Sequence, residues 1–176
     1  MDYFLIRQDK RVKNYVDFRI DFFTKKELWT EEEPHSLPCK DTAEKIYLPF
    51  LDCGVCVVSK EMKKIFDIYQ KGIVSRPIIL TDLEAKWSEI FYCIKVKEID
   101  CLGNSTIYEK KEIQKICLDV TKVGYNKIFQ IKDITYRHIV ADLEVVERLL
   151  RENITAFDAV VLEQEGSEPT WEKNMW

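Results

Sequence analysis

Apolar positions along the chain change period several times, and the changes mark out its elements. The opening YFLIR, residues 3 to 7, is an apolar run of strand type, and Val16 to Ile20 alternates apolar with polar residues as a half-buried strand does. Thr24 to Thr42, TKKELWTEEEPHSLPCKDT, carries two prolines and a charge cluster and reads as a long surface excursion with room for one helical turn. The period then becomes helical: Met62, Ile65, Phe66 and Tyr69 share one face. Ser59 is a good N-cap before them, and Gly72 stands where a left-handed stop is wanted. IVSRPIIL returns as a strand whose Pro77 cannot donate to a ladder, which points to an edge position or a bulge.

From Trp87, WSEIFYCIKVKEIDCLG is rich in aromatic and β-branched residues and reads as strand with a change of phase. EKKEIQKICLDV fits two periods: Ile113, Ile116, Cys117 and Val120 suit a helix, Leu118 and Val120 a strand. KIFQIK, residues 127 to 132, alternates as strand. HIVADLEVVERLLRENITAFDAVVL then gives a strand, an acidic cap at Asp142, a helix face with Val146, Leu149 and Leu150, a left-handed stop at Asn153, and a closing strand. VVSKEMKKIFDIYQKGIVSRPIIL has the same order of parts. The two do not align without a gap, so duplication and chance recurrence of a common unit both stay open. The expected fold class is α+β: mostly antiparallel sheet or sheets, a few amphipathic helices packed on one side, and a possible pair of strand–helix–strand units. Residues 1 to 164 make the domain and 165 to 176 an acidic tail.

Composition narrows the class. A chain of 176 residues, 46% apolar and 33% charged, is long enough to bury one core without metal or disulfide. Its net charge of -4, with lysines scattered among acids, argues against a nucleic-acid partner. The opening MDYFLIRQDK lacks the build of a secretory signal, and no run approaches the roughly 20 apolar residues of a membrane span. The expectation is a cytoplasmic protein with no membrane partner and with its six cysteines as thiols.

The candidate chemistry centres on Cys53-Gly54-Val55-Cys56. A redox Cys-x-x-Cys draws acidity from a helix start, but Ser59 as cap leaves both cysteines on the incoming strand, away from the dipole. His35 and Cys39 add two soft ligands, so a zinc site with Cys53 and Cys56 competes with the simpler reading of buried thiols acting as small apolar residues. Neither His35 nor His138 lies in a nucleophile motif, and five unclustered glycines leave no phosphate-cradling loop. No catalytic residue, cofactor or metal is expected. Trp29 and Trp87 are each flanked by charge; they are covers of the core edge or anchors of a protein interface, with Glu31, Glu32 and Glu33 as an acidic rim.

Three stretches carry a family likeness: LPFLDCGVCVVSKEMKKIF; IFYCIKVKEIDCLGNSTI, with Ile99-Asp100-Cys101-Leu102 and Ser105; and KIFQIKDITYRHIVADLEVVERLLRENITAFDAVVLEQ. From about Tyr3 to Gln164 the chain resembles immunity family eleven of the bacterial polymorphic toxin systems, small α+β proteins encoded beside secreted toxins. Thr155-Ala156 stands where that family usually has a loop glycine. The resemblance implies a cytoplasmic, non-enzymatic immunity protein that binds and neutralises one cognate protein toxin by occlusion. Trp29, Glu31, Glu32, Glu33 and Trp87 are then the partner-binding candidates, and the oligomeric state is open. The alternative is a thiol- or zinc-containing regulatory or binding domain centred on Cys53 and Cys56; a domain holding a small ligand between sheet and helix is a third reading.

Overall fold

Ser59 and Asp142 each end a strand and start a helix, and the fold is organised around these two places. A computed structural model describes residues 2–16, 18, 20, 28–30, 33–39, 45–109, 112–134 and 138–166. Along the chain these form β1 (Tyr3–Gln8), β2 (His35–Pro38), β3 (Phe50–Asp52), β4 (Cys56–Ser59), α1 (Lys60–Tyr69), β5 (Val74–Asp82), β6 (Trp87–Lys95) and β7 (Glu98–Ile99). There follow β8 (Ile107–Glu109), β9 (Glu112–Lys115), β10 (Cys117–Asp119), α2 (Val120–Val123), β11 (Ile128–Ile131), β12 (Ile139–Asp142), α3 (Leu143–Arg151), β13 (Phe157–Val161) and β14 (Glu163–Glu165). The fold is α+β, and antiparallel pairs dominate. Only β2–β5, β7–β11 and β10–β14 run parallel among the described strand pairings.

Two five-stranded sheets carry the structure, in the orders β13-β1-β12-β11-β7 and β2-β5-β6-β4-β3. Strand alternation buries both faces of each. On β4 and β6, Cys56, Val58 and Ile94 face a core shared with the other sheet and both long helices, whereas Val57, Phe91 and Cys93 face a second core containing Val16, Phe18, Ile20, Leu28 and Leu37. A third core lies on the far side of the first sheet, around Tyr3, Phe129, Val140, Leu118 and Cys101. Burial on both sides explains why β6 shows no single clean alternation in sequence.

The two strand–helix–strand stretches have one topology. In β4-α1-β5 the strands are parallel to each other and separated by β6, antiparallel to both; in β12-α3-β13 they are likewise separated by β1. β3 pairs antiparallel outside β4, and β11 pairs antiparallel outside β12. The middle strand follows β5 through a hairpin in the first unit; in the second it comes from the start of the chain. The helices begin alike: the Ser59 hydroxyl accepts from the Met62 N–H at 3.2 Å, and Asp142 Oδ1 accepts from the Val145 N–H at 3.0 Å. Gly72 (φ 83°) and Asn153 (φ 58°) supply the left-handed backbone after each helix.

Several expectations are corrected. Val16, Phe18 and Ile20 are buried as alternation requires but form no strand: Tyr15 makes a lone bridge to Ile46, and positions 17 and 19 lie outside the described residues. The excursion from Thr24 to Thr42 has its helical turn at residues 28–30, but it is not all surface, because Leu28 is buried and His35–Pro38 is a strand parallel to β5. Pro77 sits in a strand paired on both sides, but β2 begins opposite Ile78, so its missing N–H falls just before that ladder starts. The ambiguous 109–120 segment resolves to strands β9 and β10, with helix only from Val120. Leu150 is half exposed; Val145, Val146 and Leu149 are the buried face of α3. Glu165, placed in the tail, belongs to β14; Trp171 and Trp176 lie outside the described residues. No helix among the described residues is long and apolar enough to cross a membrane.

Candidate functional site

The exit of α3 and the entry of α1 come together where the two units meet, and a cleft of about 450 Å³ opens between them. Four chain segments line it: Tyr47–Pro49 before β3, Ser59–Glu61 at the start of α1, Glu89–Phe91 on β6, and Glu152–Ala156 leading into β13. Leu48, Pro49, Phe91 and Ile154 are buried and make an apolar floor. Tyr47 stands on one wall, 39% exposed, its ring stacked on Trp87 with centroids 4.7 Å apart and planes at 26°. Trp87 packs in turn on the second core. A rigid aromatic pair backed by core is a surface with little ordering entropy left to lose on binding.

The rim of this cleft is acidic. Glu61, Glu89 and Glu152 are exposed on it against one lysine, Lys60. Glu152 pairs with Arg148 at 2.6 Å, while Glu61 and Glu89 have no ion pair among the described residues. The local excess of negative charge favours a cationic group in the cleft, with the aromatic pair available for its alkyl stem or π contact. Sequence alone points to Trp87 but not to Tyr47, Glu61, Glu89 or Glu152, which converge from four separated segments.

Trp29 lies elsewhere. Lys95 Nζ sits 4.0 Å from its ring centroid, at the opposite end of β6 from Trp87. Eight residue steps of strand separate Lys95 from Trp87, roughly 26 Å at about 3.3 Å each, so the two tryptophans do not form one patch. Trp29 covers a second, smaller cleft of about 330 Å³ with Val55, Ile94, Val96, Glu98 and Gln130. Glu33 is exposed, and Glu31 and Glu32 lie outside the described residues.

Among the described residues the thiol and metal readings find no assembled site. Cys53 packs in the second core and Cys56 in the shared core, on opposite faces of the sheet, with Gly54 (φ 81°) turning the chain between them. Cys56 Sγ lies 3.8 Å from the His138 carbonyl oxygen and 3.4 Å from Gln130 Nε2, an interior contact between the two sheets. Among the described residues, which include His35, Cys39, Cys53 and Cys56, no three His, Cys, Asp or Glu side chains are placed to hold a metal ion. Burial pushes the Cys93 thiol up to about 12 and Cys101 up to about 11; Cys39 and Cys117 are also raised, chiefly by burial. A reactive or metal-binding cysteine requires the reverse shift.

Compared with known families and with curated proteins, the chain matches no family model and no curated relative.

Proposed function

We propose that the protein is a non-enzymatic immunity protein that neutralises a cognate protein toxin by binding it, with the acid-rimmed cleft beside Tyr47 and Trp87 as the centre of the interface. The cleft is the observation that carries the reading: an apolar floor, a stacked aromatic wall and two carboxylates with no ion pair among the described residues meet where four segments converge. The resemblance to immunity family eleven supports it by function class, and the placement of Cys53 and Cys56 in different cores, on opposite faces of the sheet, supports binding over chemistry by that pair.

On this reading a lysine or arginine of the toxin enters the cleft, its stem against Tyr47 and its charge between Glu61 and Glu89. The toxin's substrate path is blocked by the bulk of the bound chain. Rim carboxylates and a net charge of -4 speed encounter with a basic partner, so association slows as salt rises. The action is in the cytoplasm, without nucleic-acid or membrane partner.

Growth of cells expressing the toxin encoded beside this gene tests the reading. The wild-type chain restores growth, and the double variant Glu61→Lys, Glu89→Lys, folded by circular dichroism, does not. Equal protection by both chains, or none by either, contradicts it.

A further inference from the structure

The two units differ at both outer sheet positions among the described residues: β7 lies outside β11 with no counterpart outside β3, and the other difference is at β5 and β13. Outside β5 lies β2, parallel to it, with His35 to Pro38 opposite Ile78 to Thr81. The equivalent position outside β13 holds no strand among the described residues, because β13 ends its sheet. The other described edges of the two five-stranded sheets are blunted: β2 ends in Pro38, β7 has two residues, and β3 has three, with the Asp52 N–H taken by the Gln8 side chain at 3.0 Å. β13 has five residues, no lysine and no proline, and leaves Val160 37% and Val161 63% exposed.

Register fixes which groups face the gap. The Leu162 N–H donates to the Tyr3 carbonyl at 2.9 Å, so Val160 and Asp158, two and four residues back, bond to β1. Ala159 and Val161 therefore turn their N–H and C=O groups outward, and no described residue meets either N–H. The edge is electrically quiet, since the one charged side chain, Asp158, is paired with Arg7 at 2.8 Å.

We propose that the outer edge of β13 is a strand-addition site that takes an extended, uncharged, β-branched segment of a partner protein, laid parallel to β13 as β2 lies on β5. Main-chain bonds to Ala159 and Val161 hold the segment, and the exposed valines select apolar β-branched side chains beside them. The site stands apart from the cleft and needs no toxin to test.

Seven-residue random peptides displayed on phage are selected against the full chain, and the best is synthesised. The expected result is enrichment of alternating Val, Ile and Thr, and exchange at the Ala159 and Val161 amides slowed at least tenfold by the peptide while Val160 is unchanged. Ala159→Pro, which removes an outward N–H from an edge strand, weakens the peptide at least tenfold; should that variant not fold, the exchange pattern of the wild-type chain decides. No enrichment, or binding with both amides unaffected, overturns the proposal. So does protection in the free chain that appears with a concentration-dependent dimer, or that vanishes when the chain is ended after Gly166; a second copy or the chain's own end would then be the occupant.

Discussion

In the first unit, α1 starts on Ser59, a neutral hydroxyl at partial exposure, and β5 is covered on both sides; in the second, α3 starts on Asp142, fully buried, and β13 is covered on one side. The same topology is thus closed in two ways. Ser59 caps its helix without a charge. Asp142 does so with a carboxylate whose burial raises its pKa, against the opposing pull of the Val145 N–H and of Lys127 at 3.9 Å. Lys127 cannot offset the burial because its ammonium is held more closely by Glu144. A strand–helix–strand unit therefore specifies a cap position, while the cost of filling it depends on what the strand is buried against.

The largest test is whether the units stand alone. Phe66 of α1 and Leu149 of α3 are fully buried in the one core shared by both sheets. Phe66→Ala is expected to cost about 3–5 kcal/mol and Leu149→Ala about 2–5 kcal/mol. Each should lower a single thermal transition; two transitions, with only one of them moved, would show that the units unfold independently.

The caps should respond alike to truncation and differently to loss of charge. Ser59→Ala and Asp142→Ala each lose a capping acceptor, at about 1 kcal/mol in chemical denaturation. Asp142→Asn keeps the acceptor and removes the buried charge, so it should match or exceed wild-type stability at neutral pH. With the folded pKa of Asp142 above the ordinary 3.8, the native state holds that proton more tightly, and its contribution to stability falls as pH rises from 3.8 through the folded value. The stability difference between wild type and Asp142→Asn should shrink toward acid; a difference that grows there would contradict the assignment.

How much of this the chain spells out depends on range. Both caps, both stops and the face of α1 are local, set by neighbours within a few residues, and they read correctly. β2 does not: four residues of mixed polarity, following Pro34 and ending in Pro38, become a strand only because β5 lies beside them. Val16 to Ile20 reads only in part: the alternation marks the burial of Val16, Phe18 and Ile20, while the described pairing is limited to the Tyr15–Ile46 bridge and the Val16 N–H on the Ile46 carbonyl. The cleft is invisible because Tyr47 meets Trp87 across 40 positions, and nothing in either neighbourhood announces the other. Trp29 and Trp87 look equivalent in sequence, each beside charge, and are separated by the length of β6.

The smallest effect concerns the end of β14. Glu165 lies across Gly103, where a Cβ would stand 2.6 Å from its Cδ, and accepts from the Asn104 N–H at 2.6 Å and from the Ser105 N–H and hydroxyl at 3.2 and 2.8 Å. These donors, the Asn104 N–H first, hold its carboxyl below the ordinary 4.5. A lowered folded pKa means the tie is fully present above 4.5 and is lost as pH falls through the folded value. In Glu165→Gln, exchange at the Asn104 and Ser105 amides should quicken at neutral pH with little change in melting; unchanged exchange would show that the carboxylate does not hold the loop.

The most direct measurement is the dissociation constant, by calorimetry, between the chain and the cognate toxin that the proposed function requires, for wild type and for Tyr47→Ala. Tyr47 is 39% exposed on a stacked partner, and circular dichroism of the variant checks that the fold is kept while the proposed anchor is removed. The prediction is a loss of at least about 2 kcal/mol, some thirtyfold in affinity, as for a hot-spot aromatic. Wild-type affinity retained in Tyr47→Ala would place the interface away from the cleft, and no measurable binding by the wild-type chain would contradict the immunity reading itself.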